Sequence, residues 1–375
     1  MHAVRIVLSS FSCSAFRRSL SVMGVVVASV GSAVAATYQV ADLATFERGT
    51  PMVVRGPNSD GVGAAGGRVS GSGAATGQRR GFLLRIGNAQ AVAGLSGSDN
   101  TVVLGINDAG AFVGSSNTAT AVRAIIGSST TQVRELAPLA GDKSSVAFAV
   151  NNLGIAVGYS SGAGGQRAVM WNASGTPTAL PGATGLSRAT SINQQGDIAG
   201  SSGATGAPRA VVWRAGHGLF ALPLPAGQVA GEAYAINARG DAAGYSAGSP
   251  HLRRATLWPS TGGAIDLGVL PGGAHSLAYG ANDAGTVVGT SGSSTGDRAF
   301  IWTQAQGLRD LNALIAQPAT FVLTSAMGIN AQGMILAIGY TVEPGQSHDG
   351  HAHSGGSHEH FPARIFLLTR SGGAQ

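Results

Sequence analysis

A phrase of about 44 residues recurs seven times along this chain of 375 residues, and that period constrains the fold more than any single residue does. The clearest copies read AVNNLG-IAVGYS at residues 149–160, AINARG-DAAGYS at 235–246 and GANDAG-TVVGTS at 280–291. A repeat of this length is one supersecondary unit that buries its apolar face only by stacking on its neighbours. The copies align on a turn, Asn-x-x-Gly. Its asparagines are Asn107, Asn151, Asn193, Asn237, Asn282 and Asn330, spaced by 44, 42, 44, 45 and 48 residues. Its glycines are Gly110, Gly154, Gly196, Gly240, Gly285 and Gly333. The segment Gly67-Arg-Val-Ser-Gly-Ser72 reads as a degenerate first copy, with Ala64 where the others carry Asn.

Before each Asn the chain alternates with period two, the signature of a strand. Ala147/Ala149, Ala233/Ala235, Ala278/Gly280 and Ala326/Gly328 place small groups on one face, which must therefore meet a neighbour closely. Phe148/Val150, Tyr234/Ile236 and Met327/Ile329 place large groups on the other. Asn-x-x-Gly then predicts a tight hairpin, with the Asn side chain bonding its own backbone and Gly taking the positive φ. A second strand follows, as in Gly285-Thr-Val-Val-Gly289.

A third strand begins 13 or 14 residues after the turn glycine: Arg167-Ala-Val-Met-Trp171, Arg209-Ala-Val-Val-Trp213, Arg254-Ala-Thr-Leu-Trp258 and Arg298-Ala-Phe-Ile-Trp302. Weaker copies lie at 80–84, 123–127 and 364–368. All four tryptophans fall at this one position, which favours aromatic core wedged between units over a ligand-stacking platform. Segments such as Ala264-Ile-Asp-Leu-Gly268, with Asp42-Leu43, Glu135-Leu136 and Asp310-Leu311, supply a fourth strand. Four short strands per repeat predict an all-β protein, a seven-bladed β-propeller. A parallel β-solenoid is the competing architecture, although its coils are shorter and need no hairpin in each repeat.

The composite phrase A-x-x-I-N-x-x-G-x-V-V-G-x-S, then R-A-F-x-W, then D-L-G-x-L-P-G-G, resembles the HAF family of extracellular bacterial repeat proteins over residues 38–368. The resemblance implies export and a repeat fold. It carries no activity, so no catalytic residue is transferred by it. A looser resemblance to kelch-type propellers bears on the fold alone.

Residues 1–36 read as a secretory signal peptide: Arg5, Arg17 and Arg18, an apolar stretch over 20–34, and Ala33-Val34-Ala35 as a cleavage signal. The stretch is shorter than the roughly 20 residues of a membrane span, although a retained anchor is the alternative. The expected destination is secretion or the bacterial periplasm and cell envelope. Residues 37–370 then form one repeat domain and 371–375 a tail. Cleavage removes Cys13, the only cysteine, so the mature domain relies on packing without disulfides. It also lowers the formal charge from +6 to +3. With 11% charged residues, one lysine (Lys143) and no basic cluster, neither a nucleic-acid stripe nor a polybasic membrane patch is present.

The repeat breaks once. From Gly333 to Arg364 the gap is 31 residues, and an insertion at about 343–361 holds Ser347-His-Asp-Gly-His-Ala-His-Ser-Gly-Gly-Ser-His-Glu-His360. Five of nine histidines are here, so His348, His351, His353, His358 and His360, with Asp349 and Glu359, are candidate ligands for Zn, Cu or Ni. The bland alternative is a polar loop at a blade edge. Catalytic motifs are weak. Gly158-Tyr-Ser-Ser-Gly162 and Gly244-Tyr-Ser-Ala-Gly248 match G-x-S-x-G, but at equivalent repeat positions on strands and not at a strand-to-helix elbow. Acids are scattered singly, without the pair that glycoside hydrolysis uses. The expectation is a non-enzymatic, monomeric binding scaffold for a protein or glycan partner. A metal-binding envelope protein and a glycan-active enzyme are the alternatives.

Overall fold

The computed structural model describes residues 37–47, 52–68, 78–249, 252–316, 320–342 and 362–371. These form seven four-stranded antiparallel sheets arranged in a ring, a seven-bladed β-propeller; the solenoid is excluded. Blade 3 shows the unit: Ser144–Val150, Ala156–Gly162, Gly165–Trp171 and Pro177–Ala179 pair in chain order. Blades 1, 2, 4, 5 and 6 span residues 53–92, 101–136, 186–221, 230–266 and 276–310 in the same order.

Blade 7 is built differently. Phe321–Ile329, Ile335–Thr341 and Arg364–Arg370 supply three strands, and the chain's first strand, Tyr38–Thr45, supplies the fourth. Its register runs from Tyr38 opposite Arg370 to Thr45 opposite Arg364. Joining the two ends of the domain inside one sheet removes the free edges that an open ring would expose. An Asp42–Arg364 ion pair ties the borrowed strand in place. The same device, an acid on the fourth strand paired with an arginine near the start of the third, recurs as Arg123–Glu135 and Arg254–Asp266, both 3.1 Å.

The apolar cores lie between blades, not within them. One cluster joins Val113, Ala124 and Leu136 of blade 2 to Ala147, Val169 and Trp171 of blade 3. Similar clusters join blades 3 and 4, 4 and 5, 5 and 6, 7 and 1, and 1 and 2. A single blade therefore has no core of its own, as a 44-residue period requires. The tryptophans belong to this packing. Trp171, Trp213 and Trp258 are buried, and their indole N–H groups donate to the carbonyls of Ala137, Pro181 and Pro223 on the connection leaving the preceding blade, at 2.7–2.9 Å.

Two readings of the repeat need correction. The first copy does have its asparagine: Asn58-Ser-Asp-Gly61 makes the same turn as the other six, with Gly61 at φ +76°. Gly67 instead ends the second strand of blade 1, and Ala64 pairs with Arg55 in the ladder. Nor is the alternation of the inner strands strict. In blades 2 to 7 the register skips one residue three positions before the turn asparagine, between Ala147 and Ala149, for example, or Ala233 and Ala235. This is a β-bulge, which bends the strand and re-aims one side chain. It explains the glycine that the second strands of blades 2 to 6 share, where blade 7 has Ala337. A Cβ on Gly114, Gly158, Gly200, Gly244 or Gly289 would overlap the carbonyl oxygen that the bulge pushes across, for instance that of Val146 at Gly158.

Candidate functional site

The seven turn asparagines close a ring of hydrogen bonds. Each side-chain amide nitrogen donates to the backbone carbonyl of the next turn asparagine: Asn58 to Asn107, then Asn151, Asn193, Asn237, Asn282, Asn330 and back to Asn58, at 2.8–3.2 Å. The side-chain oxygen of each accepts from the backbone N–H four residues on, at 2.8–3.1 Å. One amide thus closes its own hairpin and clamps it to its neighbour. Only a side chain with a donor and an acceptor on the same short stem can do both.

Inside this ring the inner strands enclose an axial shaft, a cavity of about 470 Å3. Its wall is built in layers that follow from the repeat. One residue before each asparagine the layer is mostly apolar, including Ile106, Val150, Ile192, Ile236 and Ile329. Two residues before, it is Gly56, Gly105, Ala149, Ser191, Ala235, Gly280 and Gly328, small because adjacent inner strands nearly touch. A Cβ on Gly280 would lie 2.9 Å from the Gly328 Cα, and one on Gly105 would lie 2.6 Å from the Phe148 oxygen.

Three residues before, the pattern stops. This layer is Arg55, Leu104, Phe148, Thr190, Tyr234, Tyr279 and Met327, and six of the seven occupy the bulge. All but Leu104 are only partly buried, because they face the shaft. Tyr234 stacks on Tyr279, with ring centroids 5.8 Å apart and planes 24° apart, and makes a tilted contact with Tyr245 at 5.6 Å. Burial and, second, the Glu232 charge hold the Tyr234 hydroxyl far above the usual tyrosine range. Burial likewise raises Tyr279 and outweighs the opposing pull of Arg55. Both remain neutral phenols throughout the physiological range.

Charge enters the shaft at two places. Arg188 and Glu232, on adjacent blades, form a two-pronged pair through Nε and Nη2, the second bond being 2.6 Å. Ser201 also donates to Glu232 at 3.2 Å, and that carboxylate is fully buried. Burial opposes the charge on Arg188, but the hydrogen bond and charge of Glu232 outweigh it and raise its pKa. Arg55 is different. Its Nη1 donates to the Val54 carbonyl at 2.9 Å, and among the described residues no carboxylate forms an ion pair with it. Burial pushes its pKa down from the ordinary arginine value. It still carries its charge at neutral pH.

The predicted metal ligands, His348, Asp349, His351, His353, His358, Glu359 and His360, lie outside the described residues. Thr341 and Arg364, on either side of that insertion, are at the end of blade 7 away from the Asn330 turn. Among the described residues no group of three or more His, Cys, Asp or Glu side chains is placed to hold a metal ion. The two G-x-S-x-G serines are frame residues: Ser160 is buried and donates to Asp142 at 2.6 Å, and Ser246 is buried against Thr256. No helix among the described residues is long and apolar enough to cross a membrane.

No family model matches the chain, and no curated protein is similar to it. Solved structures match in fold. The β-propeller domain of the trilobed protease of Pyrococcus furiosus aligns with a TM-score of 0.51 at 10% identity, covering 79% of this chain and 91% of that one. The acylaminoacyl peptidase of Pyrococcus horikoshii aligns with a TM-score of 0.50 at 11% identity, covering 85% of this chain; the chain spans 52% of that peptidase's length. At these identities the likeness defines the class, a β-propeller, and nothing finer.

Proposed function

We propose that this is an exported, non-catalytic binding protein whose recognition element is the axial shaft. The carrying observation is the layer three residues before the turn asparagines, where one backbone frame presents Arg, Leu, Phe, Thr, Tyr, Tyr and Met to a single cavity. Ligand pockets are concavities of about 300–1,000 Å3 with a few placed polar groups, and the shaft, at about 470 Å3, falls within that range. Its one carboxylate, Glu232, is held by Arg188 and Ser201, which favours a structural role over that of a catalytic base.

A screen of glycans, peptides and small acids against the chain without residues 1–36, read by thermal shift and confirmed by calorimetry, tests the reading. Hits should be lost in Tyr279→Ala, inside the shaft, and kept in Phe220→Ser, on the outer strand of blade 4. Hits that survive Tyr279→Ala unchanged and vanish in Phe220→Ser would overturn it in favour of an outer surface.

A further inference from the structure

The shaft's charges do not balance. Glu232 neutralises Arg188, which leaves the Arg55 guanidinium, half-buried on the shaft wall, without a carboxylate partner among the described residues. A positive charge held half-buried without a carboxylate partner is costly to a fold. Nothing in the frame requires an arginine there. Blade 1 pairs Arg55 with Ala64 in a regular ladder, and the same layer elsewhere is filled by leucine, phenylalanine or methionine. The residues that share the layer are a stacked tyrosine pair, Tyr234 and Tyr279, with Met327 and Leu104 from the blades flanking Arg55.

We propose that the shaft binds a small aromatic monocarboxylate, its carboxylate on the Arg55 fork and its ring against Tyr234, Tyr279 and Met327. The assignment rests on the shaft being a binding site, and it names the class of ligand. A guanidinium offers parallel N–H donors matched to a carboxylate or a phosphate. With one net charge to neutralise, a monoanion fits the balance better than a dianionic phosphate monoester. The tyrosine faces favour a planar body over an aliphatic one, through offset stacking. The phenol hydroxyls, held neutral, keep their donors and add no competing negative charge.

The test pairs acids with their amides. Benzoate, phenylacetate and indole-3-acetate are titrated calorimetrically into the native chain beside benzamide, phenylacetamide and indole-3-acetamide, with butyrate and phenyl phosphate as further probes. The best aromatic acid should bind at least tenfold more tightly than its amide, and more tightly than butyrate or phenyl phosphate. Arg55→Gln should remove the preference for acid over amide, Arg55→Lys should keep part of it, and Tyr279→Ala should weaken acid and amide together. Equal affinity of acid and amide in the native chain overturns the proposal even if Arg55→Gln does not fold. If both are then lost together in Tyr279→Ala, the shaft stands as a binding site and only the anion class falls. Tighter binding of phenyl phosphate also overturns it, as does the absence of saturable binding by every acid, in which case the wider screen decides the shaft reading separately.

Discussion

The turn asparagines and the residues three positions before them sit on the same seven inner strands, yet one layer is uniform and the other is not. At the turn every blade uses the same amide for the same two bonds. Each bond has a modest net value of about 1 kcal/mol, but each closes a ring, so loss of one leaves a buried carbonyl unpaired on the neighbouring blade. Three residues earlier the backbone is equally regular, bulged in six blades, while the side chains differ in size, charge and polarity. The difference teaches that in this propeller repetition marks load-carrying positions, and function is to be sought where a fixed backbone carries unlike side chains.

The largest expected effect tests whether the bulge itself is fixed. Gly200→Ala puts a Cβ into the Arg188 carbonyl oxygen, a backbone atom held in place by the bulge. A loss above about 4 kcal/mol, in the range diagnostic of overpacking or backbone strain, is expected. Chemical denaturation, or soluble yield if the variant does not fold, measures it. A well-folded Gly200→Ala of native stability would show that the bulge can be relaxed.

Next comes the asparagine ring. Asn193→Ala removes the acceptor for the part-buried Asp197 N–H and the donor to the buried Asn237 carbonyl. At roughly 1–3 kcal/mol for each buried group left unpaired, a loss of about 2–4 kcal/mol is expected in denaturant melts. Asn330→Ala, at the joint where the ring closes on Asn58, should cost a similar amount. A much smaller loss at either site would mean that the ring is a by-product of the turns and not a clamp between blades.

The frame was legible in the sequence because identical physical demands produce identical residues. Asn, Gly, Arg-Ala and Trp recur where a hairpin, a close approach, an outer ion pair and an inter-blade wedge recur. Asn58 escaped detection for a reason of spacing. It lies 49 residues before Asn107, and Gly67 stands 13 residues before Arg80, the interval that elsewhere separates the turn glycine from this arginine. The bulge was hidden because Ala147-Phe-Ala-Val150 alternates in composition whether or not the backbone slips by one residue. The shaft layer was hidden most completely. Arg55, Leu104, Thr190 and Tyr279 share no residue type, so a search for what repeats passes over them, and only ring closure brings them together. The pairing of Arg188 with Glu232 is of the same kind, 44 residues apart in sequence and adjacent in space.

A third change asks whether charge belongs to the uniform layer. Asp241 follows the Asn237 turn, is buried, and accepts from the Ser260 N–H at 2.9 Å, from Asn237 at 3.0 Å and from Arg239 at 2.7 Å. Burial works against its ionisation, but these three hydrogen bonds and the Arg239 charge outweigh it and hold its pKa below the ordinary carboxylate value. A depressed folded pKa contributes stability that is fully present above the unfolded value of about 3.9 and is lost as pH falls through the folded value. Asp241→Asn should therefore cost about 1–2 kcal/mol at pH 7, and the gap from the native chain should narrow below pH 4. A gap that stays constant from pH 7 to pH 3 would assign the loss to shape and not to charge.

The smallest expected effect is the one that most sharpens the contrast. Phe148→Leu and Met327→Leu alter the variable layer on an unchanged backbone, and both side chains are partly open to the shaft. Near volume-conserving apolar changes generally cost less than about 1.5 kcal/mol in a packed core, and here the wall is packed on one side only, so less than about 1 kcal/mol is expected. Phe148 also meets Tyr159 at 5.8 Å, so its change should be the larger of the two. If both variants melt like the native chain while their ligand response changes, stability and recognition are separated by three residues along one strand. If either destabilises as much as Asn193→Ala, the two layers form a single structural core, and the diversity at the bulge would then be a matter of packing, with unlike side chains filling an uneven axis.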